Sequence, residues 1–260
     1  MNRKNEAIKN AVRSNYSKVA TNNSSCGCSS SCCSPSDYKK ISLDLGYSQE
    51  DADSVPEGAN MGLGCGNPKA FSSLKKGEIV LDLGSGGGFD CFIAAKEIGN
   101  NGKVIGVDMT PEMITKARLN AEKGNYSNVE FRLGEIEHLP VADSTIDVII
   151  SNCVVNLSTD KKQVFKDAFR VLKHGGRIAI SDVVKIAELP EVLNQQMEVY
   201  TGCISGASTL EELKSILKEV GFKNIKLTTK DESREFIKNW MPNSKVEDYV
   251  QSAIIEAVKP

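Results

Sequence analysis

Residues 79–91, IVLDLGSGGGFDC, decide the expected fold. The short apolar run at 79–83 is typical of a buried strand, and the glycines after it lead into a helix predicted over 89–98. Glycines at such a turn let the backbone approach a ligand closely, and the first turn of the helix presents free N–H donors. The stretch therefore predicts a strand, a ligand-binding loop and a helix.

The same alternation of strand and helix continues along the chain. A helix opens at Thr110-Pro111, another spans 159–172 and stops at Gly175-Gly176, and further strands are predicted at 103–108, 128–133, 146–151 and 177–183. Strands that alternate with helices imply βαβ units and a parallel sheet with helices on both faces. We expect an α/β fold, a Rossmann-like doubly wound sheet, over residues 75–185.

The first 74 residues are expected to form a cap on this sheet. Ile8, Val12, Tyr16 and Val19 make an apolar stripe on a predicted helix over 3–19, which we interpret as a docking helix. A Cys/Ser-rich loop follows at 21–36, and an irregular segment with at most one short helix covers 37–74.

The sequence predicts an α+β extension over residues 186–260. A helix is predicted near 190–201, Thr209 and Glu212 form a capping box for a second helix that Gly221 closes, and strands follow near 222–230 and 248–258. This tail is too short for a core of its own, so we expect it to pack on the edge of the sheet.

Composition excludes several classes of protein. Lys+Arg 32 against Asp+Glu 34 gives a net charge of −2, which favours neither nucleic acid nor an anionic membrane. No apolar run approaches the roughly 18 residues of a membrane span, and the first residues lack a secretory apolar segment. Eight cysteines are too few for a disulfide scaffold of this length. We therefore expect a cytoplasmic protein with reduced thiols.

The glycine loop has a distinctive spacing. Its pattern is G-x-G-x-G with Asp82 two residues before it, and Phe89 stands where a dinucleotide-binding fingerprint would need glycine. Asp108 ends the next predicted strand, where a carboxylate can accept bonds from ribose hydroxyls. With Gly134-Glu135-Ile136 after the third strand and Asn152 after the fourth, this spacing resembles the class I methyltransferases that bind S-adenosylmethionine.

The histidines are not placed to act as a base on the methyl acceptor, a tyrosine or carboxylate base stays open, and cysteines lie at suitable places. His138 and His174, the two histidines, lie in turns that local structure explains. Cys153 follows the fourth strand at its carboxyl end, where open α/β sheets bind ligands. Cys65 in GLGCGNP and Cys203 in TGCISGA lie in glycine-flanked loops on either side of the sheet domain. Spacing alone does not make these three a site. Cys91 is expected to pack in the core.

The motifs GLGCGNP, DLGSGGGFDC, SNCVVNL with LKHGG, and TGCISGA, in this order, closely resemble the arsenite S-adenosylmethionine methyltransferases. The resemblance implies that thiolates of Cys65, Cys153 and Cys203 bind trivalent arsenic, whose lone pair attacks the sulfonium methyl. A soft centre of this kind selects sulfur ligands. It also implies a thiol reductant of the thioredoxin or glutathione type as cosubstrate, and a substrate-binding role for residues 186–260.

The resemblance further implies a cofactor site. Gly84, Ser85, Gly86 and Gly88 would cradle the methionine and ribose, Asp108 would hold the ribose, Met109 would pack on adenine, and Glu135 and Ile136 would flank the base. Tyr16, Asp82, Gly134 and Asn152 complete the expected set. The family has a further N-terminal cysteine, and Cys26, Cys28, Cys32 and Cys33 are candidates to pass arsenic to Cys65.

Two alternatives from the residues remain open. One is a methyltransferase for a quinone-like small organic acceptor on the same fold. The other is a thiol-based metalloid-binding protein, with the cluster Cys26, Cys28, Cys32 and Cys33 as its main ligands.

Overall fold

A computed structural model of the protein describes residues 3–22, 35–68, 73–191, 203–241 and 244–260, and a seven-stranded sheet lies at its centre. The strands are β1 (Ile79–Leu83), β2 (Lys103–Asp108), β3 (Val129–Leu133), β4 (Ile146–Asn152), β5 (Leu172–Lys185), β6 (Lys223–Lys230) and β7 (Val250–Val258). Their order is β3-β2-β1-β4-β5-β7-β6, and the first five are parallel. The predicted parallel α/β sheet is confirmed.

Helices cover both faces of the sheet. Those described are α1 (Arg3–Asn22), α2 (Pro35–Asp44), α3 (Gln49–Asp53), α4 (Phe89–Ile98), α5 (Pro111–Lys123), α6 (Lys161–Val171), α7 (Leu210–Val220) and α8 (Arg234–Ile237). Successive side chains of a strand point to opposite faces. Accordingly, Val80 packs in a core with Phe92 of α4, whereas Leu81 packs in a second core with Phe165 of α6. This is the doubly wound arrangement.

The C-terminal extension completes the sheet rather than forming a core of its own. β7 pairs antiparallel with β5 from Arg177↔Val258 to Lys185↔Val250, and β6 pairs antiparallel with β7. Between β5 and β6 in the chain, α7 begins with the predicted capping box of Thr209 and Glu212. The expectation that the tail packs on the sheet edge is therefore confirmed.

The predicted elements differ from the structure in two places. The described residues of 37–74 include most of α2, which begins at Pro35, and all of α3, which a capping box of Ser48 and Asp51 opens. The helix predicted to reach 172 ends at Val171, and β5 starts at once instead of at 177. The glycines that read as a helix stop lie inside β5, where Gly175 N donates to Lys259 O (2.9 Å). That pairing with the C-terminus is invisible in the local sequence.

Helix α1 docks on the sheet domain as expected. Val12 and Val19 are buried, and Lys9 Nζ lies 2.7 Å from Glu135 Oε2 and 3.2 Å from Glu137 Oε1. Burial lowers the pKa of Lys9, but the bonds and charges of the two glutamates outweigh it and raise the pKa overall. These ion pairs fix α1 at the exit of β3.

Two predicted segments lie mostly beyond these ranges. The cysteine cluster of the 21–36 loop lies outside the described residues, as does nearly all of the helix predicted near 190–201.

None of the described helices is long and apolar enough to span a bilayer.

We expect Lys9→Met to loosen α1. The substitution leaves the buried Glu137 and the half-buried Glu135 without their shared cation, so the free energy of unfolding should fall by about 1–3 kcal/mol. Amide hydrogen exchange over residues 3–22 should accelerate. Lys18→Met, at an exposed position of the same helix, is the matched control. Equal exchange in the two variants would contradict the anchoring role of Lys9.

Candidate active site

A cleft opens at the carboxyl ends of β1, β2 and β4. Its walls come from α1, from the segment between α2 and β1, from the glycine loop after β1 and from the chain after β4. Open α/β sheets bind ligands at this edge, where the strand order reverses.

The glycine loop forms the floor of this cleft. Gly84 and Gly86 have φ values of +72° and +49°, in the left-handed region that glycine tolerates. At Gly84 a second constraint applies, because a Cβ there would lie 2.3 Å from Val154 Cγ2. The glycine therefore permits direct packing of the loop against the chain that follows β4.

Asp108 ties the loop to the end of β2. Its Oδ2 accepts from Gly86 N (3.0 Å) and its Oδ1 from Thr110 N (2.8 Å). Burial raises the pKa of the Asp108 carboxyl, and these backbone donors oppose that rise. Each oxygen retains a lone pair, so the carboxylate can still accept bonds from a ligand in the cleft.

Ser85 gives an independent sign that the cleft holds a polar ligand. Its side chain lines the cleft, is more than nine-tenths buried, and its hydroxyl has no hydrogen-bond partner among the described residues. Buried polar groups are almost always hydrogen-bonded, so an unpaired buried hydroxyl at a cavity wall indicates a binding site for a polar ligand. The cleft thus fits a polar cofactor at the glycine loop.

The structure brings most of the predicted cofactor residues to the cleft, but not all of them. Those that line it are Tyr16, Asp82, Gly84, Ser85, Gly86, Asp108, Met109, Ile136 and Asn152. Gly88 packs behind the loop, where a Cβ would meet the Phe92 and Phe131 rings. Gly134 and Glu135 line a separate shallow depression, and Glu135 is bonded to Lys9 of α1.

The three predicted arsenic ligands converge at the edge of the cleft. Cys65 and Cys153, 88 residues apart, are joined by a disulfide, and Cys203 Sγ donates to Cys153 O (2.9 Å). Cys153 lines the cleft, and all three side chains are buried. We call these residues the thiol centre.

The disulfide corrects the expectation that every thiol is reduced. The loop before the sheet places Cys65 beside the end of β4, with a Cα–Cα distance of 5.6 Å to Cys153. That separation lies within the range that a disulfide spans, so tertiary folding makes the bond possible. Among the described cysteines, Cys91 and Cys203 are present as thiols.

The backbone at the thiol centre is unusual. Cys153 and Cys203 have φ values of +58° and +66°, a region that residues other than glycine seldom adopt. The surrounding structure holds Cys153 there, since its N–H donates to Ser181 O (2.8 Å). Strained backbone of this kind concentrates at functional sites, which marks both cysteines independently of their side chains.

Two charged residues beside the thiol centre were missed by the sequence analysis. A carboxylate oxygen of Asp182 and the Sγ atoms of Cys65 and Cys153 all lie within 4.8 Å of one another. Burial raises the pKa of Asp182 to about 6. Lys161 Nζ, whose pKa burial lowers, donates to Gly206 O (2.6 Å) in the Cys203 loop. Asp182 lies near the carboxyl end of β5, a position that could have singled it out.

Cys91 and the histidines lie apart from the thiol centre. Cys91 belongs to α4 and packs in the hydrophobic core, as expected. Its Sγ also donates to Asp82 Oδ2 (3.2 Å). His174 Nδ1 lies 2.7 Å from Pro260 O, and His138 N donates to Glu135 O within a turn. Neither histidine lines the cleft.

The sequence and fold were compared with known proteins. Residues 74–221 match a family model described as a methyltransferase domain. An arsenite methyltransferase of Halobacterium salinarum is 51% identical over 98% of this chain and 67% of its own length. One of Aquipseudomonas alcaligenes is 38% identical over 84% of this chain and 62% of its own, so these relatives are longer than the chain.

A solved structure extends this similarity to the fold. The crystal structure of an arsenic(III) S-adenosylmethionine methyltransferase from Chlamydomonas reinhardtii matches with a TM-score of 0.62 and 30% identity. The match covers 86% of this chain and 73% of that one.

Two glycines of the loop offer a matched test of its packing. Alanine at either position incurs the left-handed backbone strain of about 1–2 kcal/mol. Gly84→Ala also places a methyl against Val154, whereas a Cβ at Gly86 meets nothing within 4 Å. We expect Gly84→Ala to lower the free energy of unfolding by about 1–3 kcal/mol more than Gly86→Ala, measured by urea denaturation. Equal losses would mean that the contact with Val154 is not tight.

Proposed function

This chain belongs to the S-adenosylmethionine-dependent arsenite methyltransferases, and on that premise we propose that it methylates trivalent arsenic bound by the thiolates of Cys65, Cys153 and Cys203. One observation carries the proposal. Three cysteines from three different parts of the chain meet at one edge of the cofactor cleft, although local sequence gives them no reason to do so.

The cofactor residues proposed are those at the floor of the cleft. Bound S-adenosylmethionine supplies an electrophilic methyl group on a positively charged sulfonium. The Ser85 hydroxyl, the backbone of Gly84 and Gly86, and the free lone pairs of Asp108 are the groups that would hold it. Gly88, Gly134 and Glu135 would act indirectly, by shaping the loop and anchoring α1.

The thiol centre supplies ligands suited to arsenic. Each As–S bond forms as a thiol proton leaves with an arsenite hydroxide as water, and a soft trivalent centre prefers sulfur to oxygen donors. The arsenic lone pair then bonds to the methyl carbon, while the electrons of the broken S–CH₃ bond return to sulfur. Because the acceptor brings its own lone pair, this step needs no general base.

Methylation in this way oxidises arsenic, and the thiol centre can reverse that oxidation. Two thiolates supply two electrons by forming a disulfide as their As–S bonds break. Cys65 and Cys153 are joined by such a bond in this structure. An external dithiol reductant of the thioredoxin type, or glutathione, would then restore both thiols by disulfide exchange. The cluster of Cys26, Cys28, Cys32 and Cys33 stays a predicted route by which arsenic reaches Cys65.

Serine substitutions test the thiol centre. Cys153→Ser and Cys203→Ser should each abolish formation of S-adenosylhomocysteine from arsenite, because a hydroxyl is a hard ligand that stays protonated near neutral pH. Cofactor binding, measured by calorimetry, should remain nearly intact. Cys91→Ser is the matched control, since serine can still donate to Asp82.

Activity that survives in both variants would refute the thiol centre. Methyl transfer to an organic acceptor by either variant would instead favour the quinone-type alternative.

Asp108→Asn tests the cofactor assignment. The amide keeps one acceptor for the backbone but removes the charge that would bind the ribose hydroxyls, a loss of about 1.5–3 kcal/mol per bond. We expect the affinity for S-adenosylmethionine to fall at least tenfold in calorimetry, with the helix content unchanged. Glu130→Gln, at the partly exposed β3 carboxylate, is the control. Unchanged affinity in Asp108→Asn would remove Asp108 from the site.

A further inference from the structure

Two buried side chains, Tyr47 and Asp90, and the partly buried Asn152 form a hydrogen-bonded network between the cleft and the Cys65 loop. The Tyr47 hydroxyl donates to Asp90 Oδ1 (2.7 Å) and accepts from Asn152 Nδ2 (2.8 Å). Tyr47 comes from the segment between α2 and α3, Asp90 from the first turn of α4, and Asn152 from the end of β4. All three line the cleft. The network therefore connects three separate parts of the chain at the candidate active site.

Asn152 holds the backbone on both sides of the Cys65 Cα. Its Oδ1 accepts from Cys65 N (3.1 Å), and its Nδ2 donates to Gly66 O (2.7 Å). An N–H can only donate and a carbonyl can only accept, so one orientation of the amide satisfies both. The fit is close, since a Cβ at Gly64 would lie 2.7 Å from Nδ2. A flip of this amide would break both of these bonds to the Cys65 loop.

Tyr47 and Asp90 fix that orientation. With Asp90 as an acceptor, the tyrosine proton points toward the carboxylate and the hydroxyl lone pair is left for Asn152 Nδ2. Burial raises the pKa of Asp90 to about 6, and the bonds from Tyr47 and Asn152 oppose that rise. The Tyr47 ring is itself held edge-on to Phe89, at a centroid distance of 4.9 Å. The hydrogen bonds therefore share one sense of donation: Asn152 donates to Tyr47, and Tyr47 donates to Asp90.

We propose that Tyr47 and Asp90 are positioning residues for the thiol centre: they orient Asn152, and Asn152 holds the backbone of Cys65 beside the cofactor cleft. The effect of these residues on the turnover of arsenite rests on the proposed function, whereas their effect on the Cys65 loop does not. Because the same side chains face the cleft and the Cys65 loop, a change in the cleft should alter the Cys65 loop, and a change in the loop should alter the cleft.

Tyr47→Phe isolates the hydroxyl while it preserves the ring. After reduction by a phosphine, Cys65 should react with iodoacetamide about two- to tenfold faster than in the wild type, as followed by peptide mass spectrometry. This range corresponds to the loss of one net hydrogen bond from a buried segment that must open to react. The kcat for arsenite should fall about ten- to a hundredfold, because misplaced reactants lose that much rate, with a much smaller change in the KM for the cofactor.

Tyr126→Phe is the matched control. It also removes one hydroxyl, which donates to Ser54 O (3.3 Å), and its ring likewise packs on a phenylalanine, Phe92. We expect wild-type alkylation and turnover from it. Equal alkylation rates of Cys65 in the two variants would overturn the inference.

A second pair of variants keeps the test decisive if Tyr47→Phe unfolds. Asp90→Asn should also accelerate alkylation of Cys65. Asn152→Asp, which loses both amide donors but keeps an acceptor for Cys65 N, should accelerate it more. Unchanged rates in both would refute the network. Because alkylation requires no arsenic, a wild-type protein that fails to methylate arsenite would count against the proposed function alone.

Discussion

The packing of Gly84 against Val154 is the contact on which the candidate active site depends. β1 and β4 are parallel neighbours, with Leu83 opposite Ser151, so the loops that follow them leave the sheet side by side. With no Cβ at Gly84, the Val154 side chain fills the space between the two loops. Val154 comes directly after Cys153, so this contact sets the distance between the cofactor loop and the thiol centre.

The walls of the cleft carry buried acids that lack a cationic partner. Asp82, Asp90 and Asp108 accept bonds from a thiol, a phenol and backbone N–H groups, and none forms an ion pair with another residue in the ranges that the structure describes. Burial raises the pKa of each. A cationic sulfonium would lower these pKa values when it binds, because an opposite charge favours the ionised form. The cleft is electrostatically complementary to a positively charged methyl donor rather than to an anion.

The thiol centre is built by long-range contacts around a strained backbone. Cys65 belongs to the N-terminal cap, Cys153 to the central sheet and Cys203 to the C-terminal extension. Left-handed φ values at Cys153 and Cys203 cost free energy that the surrounding packing must supply. The Cys65–Cys153 bond and the bond from Cys65 N to Asn152 Oδ1 tie the Cys65 loop to the end of β4.

A resemblance to a known family singled out Cys65, Cys153 and Cys203 as candidate arsenic ligands, whereas the sequence alone determined the parallel core and the glycine loop. These features depend on local rules: strand and helix periodicity, glycine at tight turns, and acids at strand ends. The continuation of β5 through the glycine pair and the Cys65–Cys153 bond were decided by tertiary structure, whereas the capping box that opens α3 is a local signal that the sequence analysis missed. Tyr47 and Asp90 likewise gain their roles only from neighbours distant in the chain. Hydrogen bonding and burial between remote segments leave no periodic signal, so no reading of local sequence could have assigned them.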